Sequence, residues 1–215
     1  MKIGVFDSGI GGLSVAHAIE QALPELEVMF RHDKPEHFPY AQKTPDEMFG
    51  YVVPIFQELI EGGCQVIIVA CNTVSTTLIG RLRQEFSVPL VAIEPMIKPA
   101  AELTKSNIIA VCATPTTLAS QRYKWLKDQY AQGVTVIEPD CADWSYLIEN
   151  NAMNQVRLRA EIEPALEQGA DVVVLGCTHY HWIEADIQKL AANRATVIQP
   201  EQAVVARLEH LLKSL

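Results

Sequence analysis

Cys71 and Cys177 stand in matching surroundings. Each closes a hydrophobic run, follows a small residue and precedes side chains that hydrogen-bond: Ala70-Cys71-Asn72-Thr73 and Gly176-Cys177-Thr178-His179. A thiol whose pKa is drawn toward neutrality can take up or release a proton at physiological pH. Two thiols on opposite faces of one carbon can do more, because one removes a proton while the other returns one to the far face. Racemising an amino acid at Cα needs that exchange, and a single base would have to travel around the substrate. The developing carbanion also needs donors aimed at the substrate carboxylate, since a Cα–H is far less acidic than a thiol. Asn72, Thr73, Thr178 and backbone N–H groups at the following helix starts can supply them.

The elements that must position these residues are short β-branched strands alternating with helical stretches. Strands are expected at 3–7, 27–30, 66–70 and 89–93, then at 107–112, 134–138, 172–176 and 196–198. Helical periodicity covers 13–23, 45–61, 76–86, 115–130 and 154–168. Strands that are apolar throughout, separated by helices, imply parallel sheets covered on both faces. Sliding the chain by 106 positions superimposes the two halves without a gap. Gly63-Cys64-Gln65-Val66-Ile67-Ile68-Val69-Ala70-Cys71 falls on Gly169-Ala170-Asp171-Val172-Val173-Val174-Leu175-Gly176-Cys177. The expectation is an α/β fold of two pseudo-symmetric α/β/α lobes, residues 1–97 with 197–215 and residues 98–196. Ligands of such sheets bind beyond the carboxyl ends of the strands. Asp7-Ser8, Cys71, Ala113-Thr114 and Cys177 all sit at such ends, so the active site is expected in the cleft between the lobes.

Bulk composition narrows the classes. The 215 residues are 49% hydrophobic and 20% charged, enough for one or two cored domains. A net charge of −9 argues against a nucleic-acid partner. No run approaches the ~18 apolar residues of a membrane helix. The opening MKIGVFDSG enters a glycine motif at once, which gives an expectation of a cytoplasmic protein without a signal peptide. Five cysteines without CxxC spacing suggest neither a disulfide framework nor a zinc site. Gly9, Gly11 and Gly12 do not have the GxGxxG spacing of a dinucleotide site, and His179-Tyr180-His181 lacks clustered further metal ligands. Cys64, Cys112 and Cys141 read as structural, and Trp125, Trp144 and Trp182 as packing residues.

With these residues assembled, the sequence resembles the glutamate racemase family within the aspartate/glutamate racemase superfamily. The resemblance rests on Ile3-Gly4-Val5-Phe6-Asp7-Ser8-Gly9-Ile10-Gly11-Gly12-Leu13-Ser14-Val15, on Ala70-Cys71-Asn72-Thr73, on Leu175-Gly176-Cys177-Thr178-His179-Tyr180, and on the order in which they come. It implies a cofactor-independent enzyme interconverting L- and D-glutamate, without pyridoxal phosphate or metal. Cys71 would act on the D-enantiomer and Cys177 on the L-enantiomer, with Asp7 and His179 assisting. Ser8, Pro39, Tyr40, Ala41, Asn72, Thr73, Thr114, Thr117, Glu149 and Thr178 would line the substrate site. The resemblance further implies a homodimer and a role in supplying peptidoglycan precursors. The chain has Ala41 and Thr116 where the family has glycine, which draws attention to substrate preference. Other readings are a racemase for aspartate or another amino acid, and a binding or regulatory protein on a racemase scaffold.

Overall fold

The computed structural model describes residues 1–214 and divides the chain into two compact units, Met1–Ile93 with the stretch from Pro200 onward, and Glu94–Gln199. The first contains β1 (Lys2–Asp7), α1 (Leu13–Ala22), β2 (Glu27–His32), α2 (Pro45–Glu61), β3 (Val66–Val69), α3 (Asn72–Glu85) and β4 (Leu90–Ala92). The second contains α4 (Ile97–Leu103), β5 (Ile108–Ala113), α5 (Pro115–Ala119), α6 (Gln121–Tyr130), β6 (Thr135–Ile137), α7 (Trp144–Glu149), α8 (Gln155–Glu167), β7 (Val172–Gly176), α9 (Thr178–His181), α10 (Glu184–Ala191) and β8 (Thr196–Ile198). The chain then returns to the first unit as α11 (Glu201–Leu212).

Each unit holds a four-stranded parallel sheet, in the order β2-β1-β3-β4 and β6-β5-β7-β8. This is the α/β/α architecture that the apolar strands imply. Alternate strand residues face opposite sides. In the first unit Ile3, Val5, Val66 and Ile68 pack with α1 and α11, while Phe6, Ile67 and Val69 pack with α2 and α3. In the second, Ile109, Val111, Val172 and Val174 join α4 and α6, while Ala110, Val173 and Leu175 join α7 to α10. Each fully buried Val, Ile or Leu contributes about 1.5–3 kcal/mol.

The repeat extends to the turns. Gly63 and Gly169, at φ +87° and +93°, end α2 and α8 in a left-handed conformation that favours glycine. The N–H groups of Gly63 and Cys64 bond the carbonyls of Ile60 and Leu59, and those of Gly169 and Ala170 bond Leu166 and Ala165. The units divide at 93/94 and 199/200, because β8 pairs with β7 through Ile198 and so completes the second sheet. Residues 94–97 and 197–199, expected in the first lobe, thus lie in the second unit. Of the three tryptophans, Trp144 is fully buried, whereas Trp125 and Trp182 are exposed, so only the first is a core residue. Among the described residues no helix is long and apolar enough to cross a membrane.

Candidate functional site

In the first unit the parallel register of β1 with β3 runs Phe6 against Val69, which carries Ser8 alongside Cys71. Ser8 Oγ lies 3.3 Å from Cys71 Sγ, and either can donate. The Ser8 N–H donates to Asp7 Oδ1 at 2.8 Å, holding a carboxylate that is only 1% exposed. Gly12 permits this placement: a Cβ there would stand 2.6 Å from Asp7 Cβ and 3.1 Å from the Phe30 ring. Cys71 is the N-cap of α3, so the first-turn N–H groups of that helix lie beside the thiol. Asn72 and Thr73 are buried in that turn, and neither the amide nitrogen nor the amide oxygen of Asn72 has a hydrogen-bond partner among the described residues. A buried amide left in this state is a polar group awaiting a ligand or water.

Tyr40, in a 3-10 turn at Tyr40–Gln42, packs in the same apolar cluster as Cys71. Its hydroxyl donates to Asp33 Oδ2 at 2.6 Å. Burial pushes the phenol pKa far up, with the Asp33 carboxylate reinforcing the shift and Cys71 and Asp7 adding to it. Asp33 is itself buried and also accepts the Lys34 N–H at 2.7 Å, with His37 Nδ1 at 2.8 Å. Asp33 therefore ties down the segment that carries Pro39, Tyr40 and Ala41. Sequence reasoning missed it. The signal available was an aspartate directly after a strand, but the stretch around it has no periodicity that predicts its burial.

In the second unit Ala113 pairs with Gly176, so Thr114 follows beside Cys177. Gly176 is needed there, because a Cβ would meet Ala113 Cβ at 3.0 Å and the Cys112 carbonyl at 3.1 Å. Cys177 Sγ lies 3.9 Å from His179 Nδ1, and His179 Nε2 contacts Glu149 Oε2. Glu149 ends α7, which is held against α9 by Trp144 edge-on to Tyr180, while the Tyr180 hydroxyl donates to the Cys141 carbonyl (3.0 Å) just ahead of α7. Thr114 caps α5, accepting the Thr117 N–H and donating to Thr117 Oγ1 at 3.0 Å; both threonines are buried. Thr178 is buried beside Cys177.

Cys64, Cys112 and Cys141 are core residues, and none of the five cysteines forms a disulfide. Burial pushes the thiols of Cys64 and Cys141 up, with Cys112 adding to the shift at Cys141, which suits a structural role. Among the described residues no group of three or more His, Cys, Asp or Glu is arranged to hold a metal ion.

The expected residues thus assemble as two half-sites: Asp7, Ser8, Tyr40, Cys71, Asn72 and Thr73 in one unit, and Thr114, Thr117, Glu149, Cys177, Thr178 and His179 in the other. Residues 3–208 match the family model of Asp/Glu/Hydantoin racemases. The chain is 37% identical over 215 residues to the glutamate racemase of Stutzerimonas stutzeri (strain A1501), covering 98% of this chain and 81% of that protein. Escherichia coli glutamate racemase, crystallised with L-glutamate and the activator UDP-MurNAc-ala, superimposes with a TM-score of 0.91 at 30% identity, over 99% of this chain and 82% of that one. The Francisella tularensis enzyme in complex with D-glutamate gives 0.82 at 25% identity, over 99% and 81%. Aspartate racemase from Picrophilus torridus, 18% identical with a TM-score of 0.63, shares the fold. The chain therefore belongs to the Asp/Glu/Hydantoin racemase family.

Proposed function

We propose that this protein interconverts L- and D-glutamate without a cofactor, using Cys71 and Cys177 as two bases. The observation that carries the reading is that the same strand end in each unit bears a buried cysteine with its own proton-handling neighbours. The identity to glutamate racemases over nearly the whole chain supports glutamate as substrate.

In this reading the thiolate on one face takes the Cα proton and becomes a thiol. The electron pair left on Cα is stabilised through the substrate carboxylate by Asn72, Thr73, Thr178 and helix-start N–H groups. The thiol on the other face then gives its proton to Cα and becomes the thiolate. One C–H bond breaks, another forms, and the enzyme returns with the thiol and thiolate exchanged. Cys71 serves the D-enantiomer with Asp7 and Ser8 beside it, and Cys177 serves the L-enantiomer with His179 backed by Glu149. Pro39, Tyr40 and Ala41 shape the pocket for the distal carboxylate. The product supplies peptidoglycan precursors in the cytoplasm, and the working form is a homodimer.

The test is incubation of the protein with each pure enantiomer of glutamate, aspartate and a panel of other amino acids in D₂O. Deuterium is expected at Cα of glutamate from both enantiomers, with the opposite enantiomer appearing. Exchange into aspartate alone would move the assignment to that substrate, and exchange into none would overturn it.

A further inference from the structure

Asp33 and Tyr40 belong to a closed circuit of four side chains. The Tyr40 hydroxyl and His37 Nδ1 both meet Asp33 Oδ2, at 2.6 and 2.8 Å. The His37 ring lies flat on the Tyr51 ring, with centroids 3.8 Å apart and planes 8° from parallel. Tyr51 in turn faces Tyr40, ring centroids 6.2 Å apart, which closes the circuit. Three members come from the stretch after β2, and the fourth, Tyr51, from α2.

The local sequence builds this arrangement. Pro35 opens a single 3-10 turn, Pro35–His37, in which the His37 N–H donates to the Lys34 carbonyl at 3.0 Å and the Phe38 N–H to the Pro35 carbonyl at 3.2 Å. The turn brings His37 back over Asp33, four residues earlier. A carboxylate only accepts, so the imidazole carries a proton on Nδ1. Residues 33–42 otherwise hold two short 3-10 turns joined by extended residues, and such a stretch depends on side chains to fix its place. Tyr51 supplies the fixed point. Its helix is secured at the start by Pro45 and by the reciprocal hydrogen bonds of Thr44 and Glu47, and Met48 and Val52 beside it are fully buried. At the other end of the circuit, Tyr40 packs in the apolar cluster that contains Cys71.

We propose that His37 and Tyr51 are positioning residues of the substrate pocket: acting through Asp33 and Tyr40, they hold residues 39–41 at the Cys71 half-site. Their effect on turnover rests on the reading of Pro39, Tyr40 and Ala41 as the wall for the distal carboxylate of glutamate. A wall that meets ground state and transition state alike sets KM rather than kcat. Opening the circuit at one contact frees the segment, so losses at His37 and Tyr51 overlap instead of multiplying.

The test compares His37→Leu, Tyr51→Leu, the double variant and His37→Asn, whose amide nitrogen can stand in for Nδ1, with the natural chain. Two quantities are measured on each: kcat and KM for both enantiomers of glutamate, and the rate at which iodoacetamide alkylates Cys71, read by peptide mass spectrometry. Cys64, a core thiol of the same unit, serves as the internal control for general loosening. Each leucine variant is expected to raise KM about tenfold with kcat changed by less than about threefold. The double variant should go no more than about threefold beyond either single one, and His37→Asn should recover part of the loss. Alkylation of Cys71 should speed up several-fold relative to Cys64 in the same variants. The proposal is overturned if the ratio of Cys71 to Cys64 alkylation stays constant across the variants, if KM stays constant, or if the two single losses multiply in the double variant. Should the natural chain turn over neither enantiomer of glutamate, the glutamate reading falls, and the alkylation ratio alone decides whether His37 and Tyr51 hold the segment.

Discussion

In the first unit the neighbour of the cysteine is a hydroxyl: Ser8 Oγ lies beside Cys71, and the Ser8 N–H holds the buried Asp7 carboxylate. In the second the neighbour is an imidazole, His179, with the Glu149 carboxylate on its far nitrogen. The sheets hardly differ. Strand order, register at the strand ends and the glycine turns of α2 and α8 recur 106 positions apart. At the strand ends the divergence lies in particular side chains. Asp7 is matched by Ala113, and Thr73 by His179. The helix after the thiol also differs: α3 is continuous over 14 residues, whereas the second unit breaks the same stretch into α9 and α10. On the proposed reading, a repeated fold keeps the position of a reacting group while the group that tunes it is replaced, so each half can be fitted to its own proton transfer.

Removing the thiols tests the comparison most severely. Cys71→Ser and Cys177→Ser should each lower racemisation by about 10³-fold or more, since serine is far too weak an acid to replace either base. Each variant should retain Cα exchange in D₂O from one enantiomer only, with opposite preferences, as read by proton NMR. Matching residual exchange from both enantiomers in either variant would show that the halves are not specialised.

The neighbours come next. Asp7→Asn and His179→Asn should lower kcat by about 10–100-fold. The loss in Asp7→Asn should be greater with D-glutamate as the starting material and in His179→Asn greater with L-glutamate, which initial rates in the two directions would reveal.

A smaller effect is expected from Gly12→Ala. The added Cβ falls 2.6 Å from Asp7 Cβ, and overpacking of this kind costs about 1–3 kcal/mol. The corresponding position in the second unit is Leu118, where the strand ends in Ala113 rather than an aspartate. Urea unfolding should show the loss, and Asp7→Gly in the same chain, which removes the opposing Cβ, should relieve part of it.

The mildest test concerns Asp171, which stands where the first unit has Gln65. It accepts hydrogen bonds from Thr104 Oγ1 and from the Lys105 and Ser106 N–H groups at 2.5, 2.7 and 2.9 Å. Burial works to raise its pKa, and these hydrogen bonds outweigh it, so the carboxyl lies below its ordinary value. A folded-state pKa below the unfolded one gives stability that is present above the unfolded pKa and lost as pH falls through the folded one. Asp171→Asn should therefore cost about 1 kcal/mol at neutral pH, and the difference should disappear in strong acid. Urea midpoints of both chains across pH measure it.

Much of this arrangement is legible in the residues. The strand at 172–176 and the helix at 45–61 fall where periodicity places them, and the two cysteine motifs are aligned by the same offset that aligns the sheets. The helix expected over 115–130 is in fact two, because Ser120 takes an extended conformation and its hydroxyl accepts the Tyr123 N–H to start a new one. A serine inside a helical pattern gives no clear warning of this. The short α4, α7 and α9 were not separable from loops, having too few turns to show a period. Asp33 was hidden for a different reason. Its burial depends on Tyr40 and His37 folding back over it, a tertiary arrangement that no local pattern encodes.

The return of the chain to its first unit after β8 has a consequence for synthesis. Val204 and Leu208 of α11 complete the apolar layer that Ile3, Val5 and α1 begin. A growing chain emerges amino end first, at about 5–20 residues per second. The second unit therefore has all of its strands outside the ribosome while the first still lacks the helix that completes the cover over one face of its sheet. The half that begins the polypeptide is the later one to close, and until α11 arrives it presents an open hydrophobic surface to whatever waits at the tunnel exit.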